Sequence, residues 1–190
     1  MEVRGIRERV VRFIRERREP VSCEDLRLRF VKKLGFRHAT VLGVTASEAI
    51  LRYLNGFLVH VETLGWNAEK QAELAKTAEA YYDLQVRAGG LLARVDRLLE
   101  MHETSLPALA NGMTWTPTLL AALLARDART PVVGTMENAF VFNKDGISVR
   151  SFPDLVDLVL ERHFDGAASV TQLSEWLREE RVIHRVPEAA

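Results

Sequence analysis

Cysteine is almost absent from the chain, since Cys23 is the only one among 190 residues. A single cysteine cannot form an internal disulfide bond, which is typical of a protein from a reducing compartment. The longest fully apolar run, Leu119 to Ala125, is far shorter than the roughly 18 residues that a membrane span requires. The N-terminus mixes charged and apolar residues and so lacks the apolar core of a secretory signal. We therefore expect a cytoplasmic protein without a membrane span.

The sequence also lacks the common motifs of catalysis. None of its five histidines has the HExxH spacing or the paired cysteines of a zinc site. Gly89-Gly90 is not part of a GxxxxGK[ST] or GxGxxG phosphate loop. The segment Met101 to Ser105 places His, Glu and Ser close in sequence, but a catalytic triad is defined by spatial geometry. We therefore expect no enzyme, no metal and no cofactor.

The charges that are present are unevenly distributed, although the net charge is zero. Residues 1–37 contain 12 Lys or Arg against 6 Asp or Glu, whereas residues 131–190 contain 6 against 10. This asymmetry indicates a basic surface for nucleic acid, or two ends that attract each other or a partner. The alternative is that the charges only solvate ordinary helix faces.

The first part of the chain has the pattern of three helices and a strand. Apolar residues at spacings of three and four predict a helix over residues 3–18. Ser22 caps a second helix, which Gly35 ends. Thr45 and Glu48 form a capping box for a third helix through about Leu54. Residues 57–61 have the composition of a strand.

A second set of elements follows from about Trp66. Helices are predicted over residues 68–85 and 91–102, and a third helix is capped by Thr114 or Thr116. Asn143 to Gly146, between apolar residues 139–142 and 147–150, predicts a β-hairpin. Two further helices, over residues 152–164 and 170–180, form a C-terminal pair, and Val182, Ile183 and Val186 could form a closing strand.

The layout of two helices, a threonine-capped third helix and strand material thus occurs twice, in VTASEAILRYL…FLVHVETLGW and in WTPTLLAALLAR…PVVGTMENAFVFNKDGISVR. It resembles the winged helix-turn-helix superfamily in tandem. The expected fold is mainly α with small β-wings (α+β), with winged-helix-like units over residues 1–66 and 67–150. Residues 151–190 would be packed on the second unit or form an incomplete third one. A single helical bundle with a hairpin insertion is the alternative fold.

The resemblance implies that the third helices, residues 46–54 and 116–126, enter the DNA major groove and that a wing contacts the backbone or minor groove. The candidate contacts would be Ser47 and Arg52 on the first of these helices and Asn143 and Lys144 on the wing. Base reading favours exposed Arg, Lys, Asn and Gln, which are scarce on both helices. The apolar stripe of the helix over residues 116–126 instead favours packing against its own domain or a partner.

The basic N-terminal part is the stronger nucleic-acid candidate, because phosphate contacts require only positive charge within reach. The DNA-binding candidates there are Arg15, Arg17, Arg18, Arg27, Lys32, Lys33 and Arg37, with Arg29 in the same cluster. The alternative is that neighbouring Glu and Asp residues pair with them as ordinary surface ions.

Two functions follow from these observations. The first is a non-catalytic DNA-binding protein, of the transcription-regulator class, that contacts duplex phosphates through its basic first unit. The second is a winged-helix protein-interaction module that docks on a larger nucleic-acid machine such as RNA polymerase. It would use either the apolar helix 116–126 or the acidic C-terminal helices.

Overall fold

The computed structural model describes residues 3–134, 138–144, 146–180 and 182–183. Within these ranges the chain is mainly helical and contains two small antiparallel sheets of three strands each. The predicted α+β class with small β-wings is therefore confirmed, and the two sheets argue against a single helical bundle. Every helix in the described ranges is too short or too polar to cross a lipid bilayer.

The same order of elements occurs twice along the chain. The first set is α1 (Val3–Glu16), β1 (Val21–Ser22), α2 (Cys23–Leu26) continued by a π-helix (Arg27–Lys33), α3 (His38–Val44), β2 (Ile50–Leu54) and β3 (Phe57–His60), followed by a 3-10 helix (Val61–Leu64). The second set is α4 (Ala68–Arg87), β4 (Ala93–Arg94), α5 (Val95–His102) continued by a 3-10 helix (Glu103–Ser105), α6 (Pro117–Leu124), β5 (Val132–Val133) and β6 (Ala139–Phe140). Helices α7 (Phe152–His163) and α8 (Val170–Glu179) follow. In each sheet the third strand lies between the other two, in the orders β1-β3-β2 and β4-β6-β5.

The contacts divide the chain into two compact units that do not follow chain order. The first unit contains the chain up to Gln71 together with Pro107–Ala122. The second contains Ala72–Leu106 and the chain from Leu123 onward. Helices α7 and α8 therefore belong to the second unit.

The core of the first unit is built on the apolar face of α1. Ile6, Val10 and Ile14 recur every four residues, so they lie on one side of the helix, and all three are buried. They form one cluster with buried side chains from the other elements of the unit, including Leu26 and Phe30. Ser22 caps α2 by accepting a hydrogen bond from the Asp25 amide at 3.0 Å, as its position in the sequence predicts.

The third helix of the first unit does not lie over residues 46–54, where the sequence predicts it. It is α3 (His38–Val44), and the Thr45 hydroxyl donates to the Leu42 carbonyl of that helix instead of capping a new one. Residues 50–54 form β2, which pairs with β3 across Asn55-Gly56. The reason is that Asn-Gly between two apolar segments favours a two-residue hairpin turn over a helix end.

The predicted hairpin around Asn143 to Gly146 is also wrong in the described residues. Strand β6 pairs antiparallel with β5, so the two paired strands of this sheet are Val132–Val133 and Ala139–Phe140 and not the residues on either side of Asn143 to Gly146. The Asn143 side chain donates to the Val149 carbonyl at 2.8 Å and accepts from the Val149 amide at 2.9 Å. A side chain thus occupies the backbone hydrogen bonds that a partner strand would need.

Two short strands are not predicted by the sequence, and the predicted closing strand is not formed by its described residues. Strands β1 and β4 have only two residues each, which is too short for the alternation that marks a strand in sequence. Val182 and Ile183 form no strand, because both of their amides donate to the Leu177 carbonyl at the end of α8. Val186 lies outside the described residues.

The exposed edge of the first sheet is covered by residues 107–116 of the same unit. Strand β2 is an edge strand, and its Tyr53 carbonyl accepts a hydrogen bond from the Thr116 hydroxyl. The Tyr53 phenol lies 3.2 Å from the Thr114 hydroxyl. Trp115 packs edge-to-face on Trp66, with 5.6 Å between ring centroids. The open edge, which would otherwise be a site for unwanted strand pairing, is thereby closed.

The leucines of α6 are core residues. Leu119, Leu120, Leu123 and Leu124 have no exposed surface. The packing interpretation of this apolar stripe is therefore confirmed, and these side chains offer no surface to a partner.

We expect Thr116→Val to destabilise the protein by about 1–3 kcal/mol, since it leaves the buried Tyr53 carbonyl without its donor. It also removes the acceptor of the Leu119 amide at the start of α6. The measurement is the urea unfolding midpoint followed by circular dichroism. Thr116→Ser, which keeps the hydroxyl, is the matched control. Equal midpoints for the Val and Ser variants would show that the hydroxyl is not what holds the edge.

Candidate nucleic-acid interface

The helix-turn-helix of the first unit positions most of the predicted basic residues. Gly35 ends the π-helix with a φ of 72°, a backbone conformation that glycine adopts without strain. The Gly35 amide donates to the Val31 carbonyl, and the Phe36 amide donates to the Phe30 carbonyl. This turn places Lys32 and Lys33 at the end of one helix and Arg37 directly before the next, all exposed to solvent.

Three of the predicted DNA-binding arginines are paired with acids. Arg15 contacts Glu62 at 2.8 Å, and Arg27 binds Glu24 through two short hydrogen bonds. The Arg27 guanidinium lowers the pKa of the Glu24 carboxyl through that hydrogen bond. Arg17 contacts Glu19 more loosely, at 3.8 Å. The alternative of ordinary surface ion pairs thus applies most clearly to Arg15 and Arg27.

Four other predicted residues form no ion pair within the described part of the chain. They are Arg18, Lys32, Lys33 and Arg37, and each is exposed. The acids at the start of α2 are occupied, because Glu24 binds Arg27 and Asp25 accepts from the Ser22 hydroxyl. Positive charge without an ion-pair partner in the described residues is therefore present at the far end of this helix, where Lys32, Lys33 and Arg37 lie around the turn.

Helix α3 lacks the side chains that read bases. Its exposed residues include His38, Ala39, Leu42 and Gly43, none of which can form the paired hydrogen bonds of Arg, Lys, Asn or Gln. Ser47, predicted to lie on a reading helix, is half-buried in the turn after α3. Arg52, the other predicted contact, is exposed on strand β2 and not on a helix. The surface suits contact with phosphates better than base recognition.

The wing of the first unit was not recognised as one in the sequence. It is the β2-β3 hairpin, whose turn has Leu54 and Phe57 as opposing residues. Both side chains are exposed, by 45% and 41%. The Gly56 carbonyl accepts from the Cys23 amide at 2.8 Å, which fixes the turn against the start of α2. The signal that could have found it was Asn-Gly between two apolar segments.

The wing residues predicted in the second unit have structural contacts. Lys144 forms ion pairs with both Glu79 and Asp83 of α4. The hydrogen bond to Asp83 raises the pKa of Lys144. The Asn143 side chain is hydrogen-bonded to the Val149 backbone. These two residues stabilise the second unit and are not at a wing tip.

Metal-binding clusters are absent from the described ranges, where no group of three or more His, Cys, Asp or Glu residues could hold an ion. His60 is buried, and its Nδ1 accepts from the Glu62 amide at 3.2 Å. Burial lowers the pKa of His60 because the protonated form loses hydration. This histidine has the geometry of a helix cap.

One contact went unrecognised in the sequence. The guanidinium carbons of Arg17 and Arg29 lie 5.1 and 4.5 Å from the centroid of the Phe13 ring. Phe13 packs edge-to-face on Phe30, with centroids 5.6 Å apart. One feature of the sequence is consistent with this contact, because Arg17 follows Phe13 by four residues in the helix predicted over residues 3–18.

Comparison with protein-family models, with curated proteins and with solved structures finds no match to this chain.

We expect the protein to lose stability as the pH falls, in part through His60. Its pKa is lower in the folded state, so the unfolded chain takes up the proton first. The contribution is therefore fully present above the unfolded pKa of about 6.5 and is lost as the pH falls through the folded pKa, by at most about 1.4 kcal/mol per pH unit.

The test compares the pH dependence of urea unfolding in the wild type and in His60→Asn, whose side chain can still accept from the Glu62 amide. A smaller loss of stability on acidification is expected in the variant. Parallel curves would contradict a role for His60.

Proposed function

We propose that this protein is a non-catalytic DNA-binding protein that contacts duplex phosphates through the helix-turn-helix of its first unit. The observation that carries the proposal is a set of exposed basic residues that form no ion pair within the described ranges, namely Arg18, Lys32, Lys33 and Arg37. Positive groups of this kind displace condensed counterions from DNA and give affinity without sequence information.

The arrangement of secondary structure supports the same class. A helix, a short strand, two helices and a two-stranded wing occur twice with the same strand order, which is the topology expected of tandem winged-helix domains. We propose membership of that superfamily on this basis, with regulation of transcription as the role. The scarcity of cysteine supports a cytoplasmic location.

The exposed surface of α3 indicates how the first unit binds DNA. Since Ala39, Leu42 and Gly43 cannot distinguish base pairs by hydrogen bonds, we propose that this unit binds duplex DNA with little dependence on sequence.

A salt-titrated binding assay on duplex DNA of random sequence tests the proposal. We expect affinity that falls steeply with salt concentration. In Lys32→Gln/Arg37→Gln, affinity should fall and the slope of log K against log salt should become less steep by about 1 to 2, because each lost phosphate contact contributes about 0.9.

The matched control is Arg15→Gln/Arg27→Gln, which removes the same charge from two arginines that are paired with acids. It should bind nearly as the wild type does. Equal weakening of both variants would mean that binding follows net charge only, and absence of binding at low salt would refute the proposal.

A second candidate function, docking on a protein, rests on a different observation. All the large apolar side chains of the first unit that are exposed lie on its helix-turn-helix and wing, within the described residues. They are Leu28, Leu34, Leu42, Leu54 and Phe57. Apolar side chains gathered on the elements used for binding are typical of interaction surfaces.

This candidate is tested with purified RNA polymerase as the probe. Leu42→Ser/Leu54→Ser leaves every charge in place, so it should weaken polymerase binding while the salt slope of DNA binding stays unchanged. Binding that is absent in the wild type, or equal in the variant, would exclude docking through this surface.

A further inference from the structure

We propose that Arg17 and Arg29 form a preorganised phosphate-binding pair, held in place by the Phe13 ring, and that its ligand is the phosphodiester backbone of a nucleic acid. The proposal rests on the proposed DNA-binding function and assigns a specific anchor to it. Phe13 is then a positioning residue, which acts through the two arginines that contact the phosphate.

The geometry brings two positive groups to one aromatic ring. Both guanidinium carbons lie close to the centroid of Phe13, at 5.1 and 4.5 Å. The two groups are therefore no more than about 10 Å apart. They come from different elements, since Arg17 follows α1 and Arg29 lies on the π-helix. Two like charges so placed repel each other, and an anion bound by both would relieve that repulsion.

The acids near this pair leave most of its charge available. Arg17 contacts Glu19 at 3.8 Å, and the exposed fractions of these two side chains are 49% and 76%. An ion pair this long and exposed is weak. Arg29 forms no ion pair with the described residues. A phosphate can therefore displace Glu19 at little cost.

The ring itself is fixed by the core. Phe13 packs edge-to-face on Phe30, a buried residue, which in turn stacks on Phe36 with 6.5 Å between centroids. A free arginine loses rotamer freedom when it binds, and stacking on a fixed ring reduces that loss before the ligand arrives. Arginine also suits this place because its planar group can stack and bind a phosphate through paired hydrogen bonds.

The deciding variant is Phe13→Leu, which removes the ring while keeping an apolar side chain and every charge. Stacking on the ring orders both arginines before the ligand arrives, so loss of the ring should weaken binding to a 25-base-pair random duplex about tenfold. The number of phosphates contacted stays the same, so the salt slope should be unchanged.

Phe36→Leu is the matched control. It shortens the same aromatic row at the end that has no arginine over the ring in the described structure. It should bind DNA like the wild type, with thermal unfolding measured for both variants. If Phe13→Leu and Phe36→Leu bind equally well, the ring does not organise the arginines and the inference is overturned.

A second variant covers the case in which Phe13→Leu does not fold. Arg17→Lys/Arg29→Lys keeps both charges and leaves the core intact, but lysine neither stacks in the same way nor binds phosphate through two parallel bonds. Several-fold weaker binding is expected, and binding equal to the wild type would contradict the proposal. If the wild type itself binds no DNA, it is the proposed function that fails.

Discussion

Pairing of β2 with β3 across Asn55-Gly56 is the interaction on which the first unit depends. It draws residues 50–54 into a strand, and the helix-turn-helix therefore ends at Val44. It also forms the wing, whose turn is held by the hydrogen bond from the Cys23 amide to the Gly56 carbonyl. A hairpin of two short strands is only marginally stable alone. The third strand, β1, and the buried side chains of α1 give it the additional contacts that it needs.

The same pairing exposes an edge that the rest of the unit must close. Strand β2 has β3 on one side only, so its outer carbonyls require other donors. The Thr116 hydroxyl satisfies that of Tyr53 and also accepts from the Leu119 amide at the start of α6. One side chain thus covers part of the open sheet edge and caps the start of α6. Together with the Trp66–Trp115 contact, these hydrogen bonds join residues 107–122 to the first unit, although they are far from it in sequence.

Much of the fold could be predicted from local signals. The caps at Ser22 and Ser169, the stop at Gly35 and the apolar stripes of α1, α7 and α8 act over a few residues, and the sequence shows them directly. The third helix of the first unit was placed wrongly because Thr45 and Asn55-Gly56 each have two interpretations. Which interpretation applies depends on strand pairing, which is not a local interaction. The contacts of Asn143 with Val149 could not be predicted, since a turn signal does not say whether a side chain will occupy the backbone hydrogen bonds.

The candidate site could likewise be predicted only in part. The sequence lists its positive charges but not their partners, because Arg15 and Glu62 are distant in sequence and meet only in the folded unit. The Phe13 ring likewise meets Arg29 only when α1 packs beside the π-helix. The sequence alone therefore does not distinguish the basic residues that form ion pairs from those that form none in the described residues.

The positive charge at the end of the π-helix also has a structural explanation that does not involve a ligand. Lys32 and Lys33 lie in the last turn of the π-helix, where positive groups interact favourably with the carbonyl end of the helix dipole. That interaction is worth about 0.3–1 kcal/mol at exposed positions and requires no anion. It does not account for Arg37, which precedes α3 and so lies at the positive end of that helix dipole. Positive charge there is unfavourable for the helix, and a phosphate bound to the guanidinium would neutralise that charge.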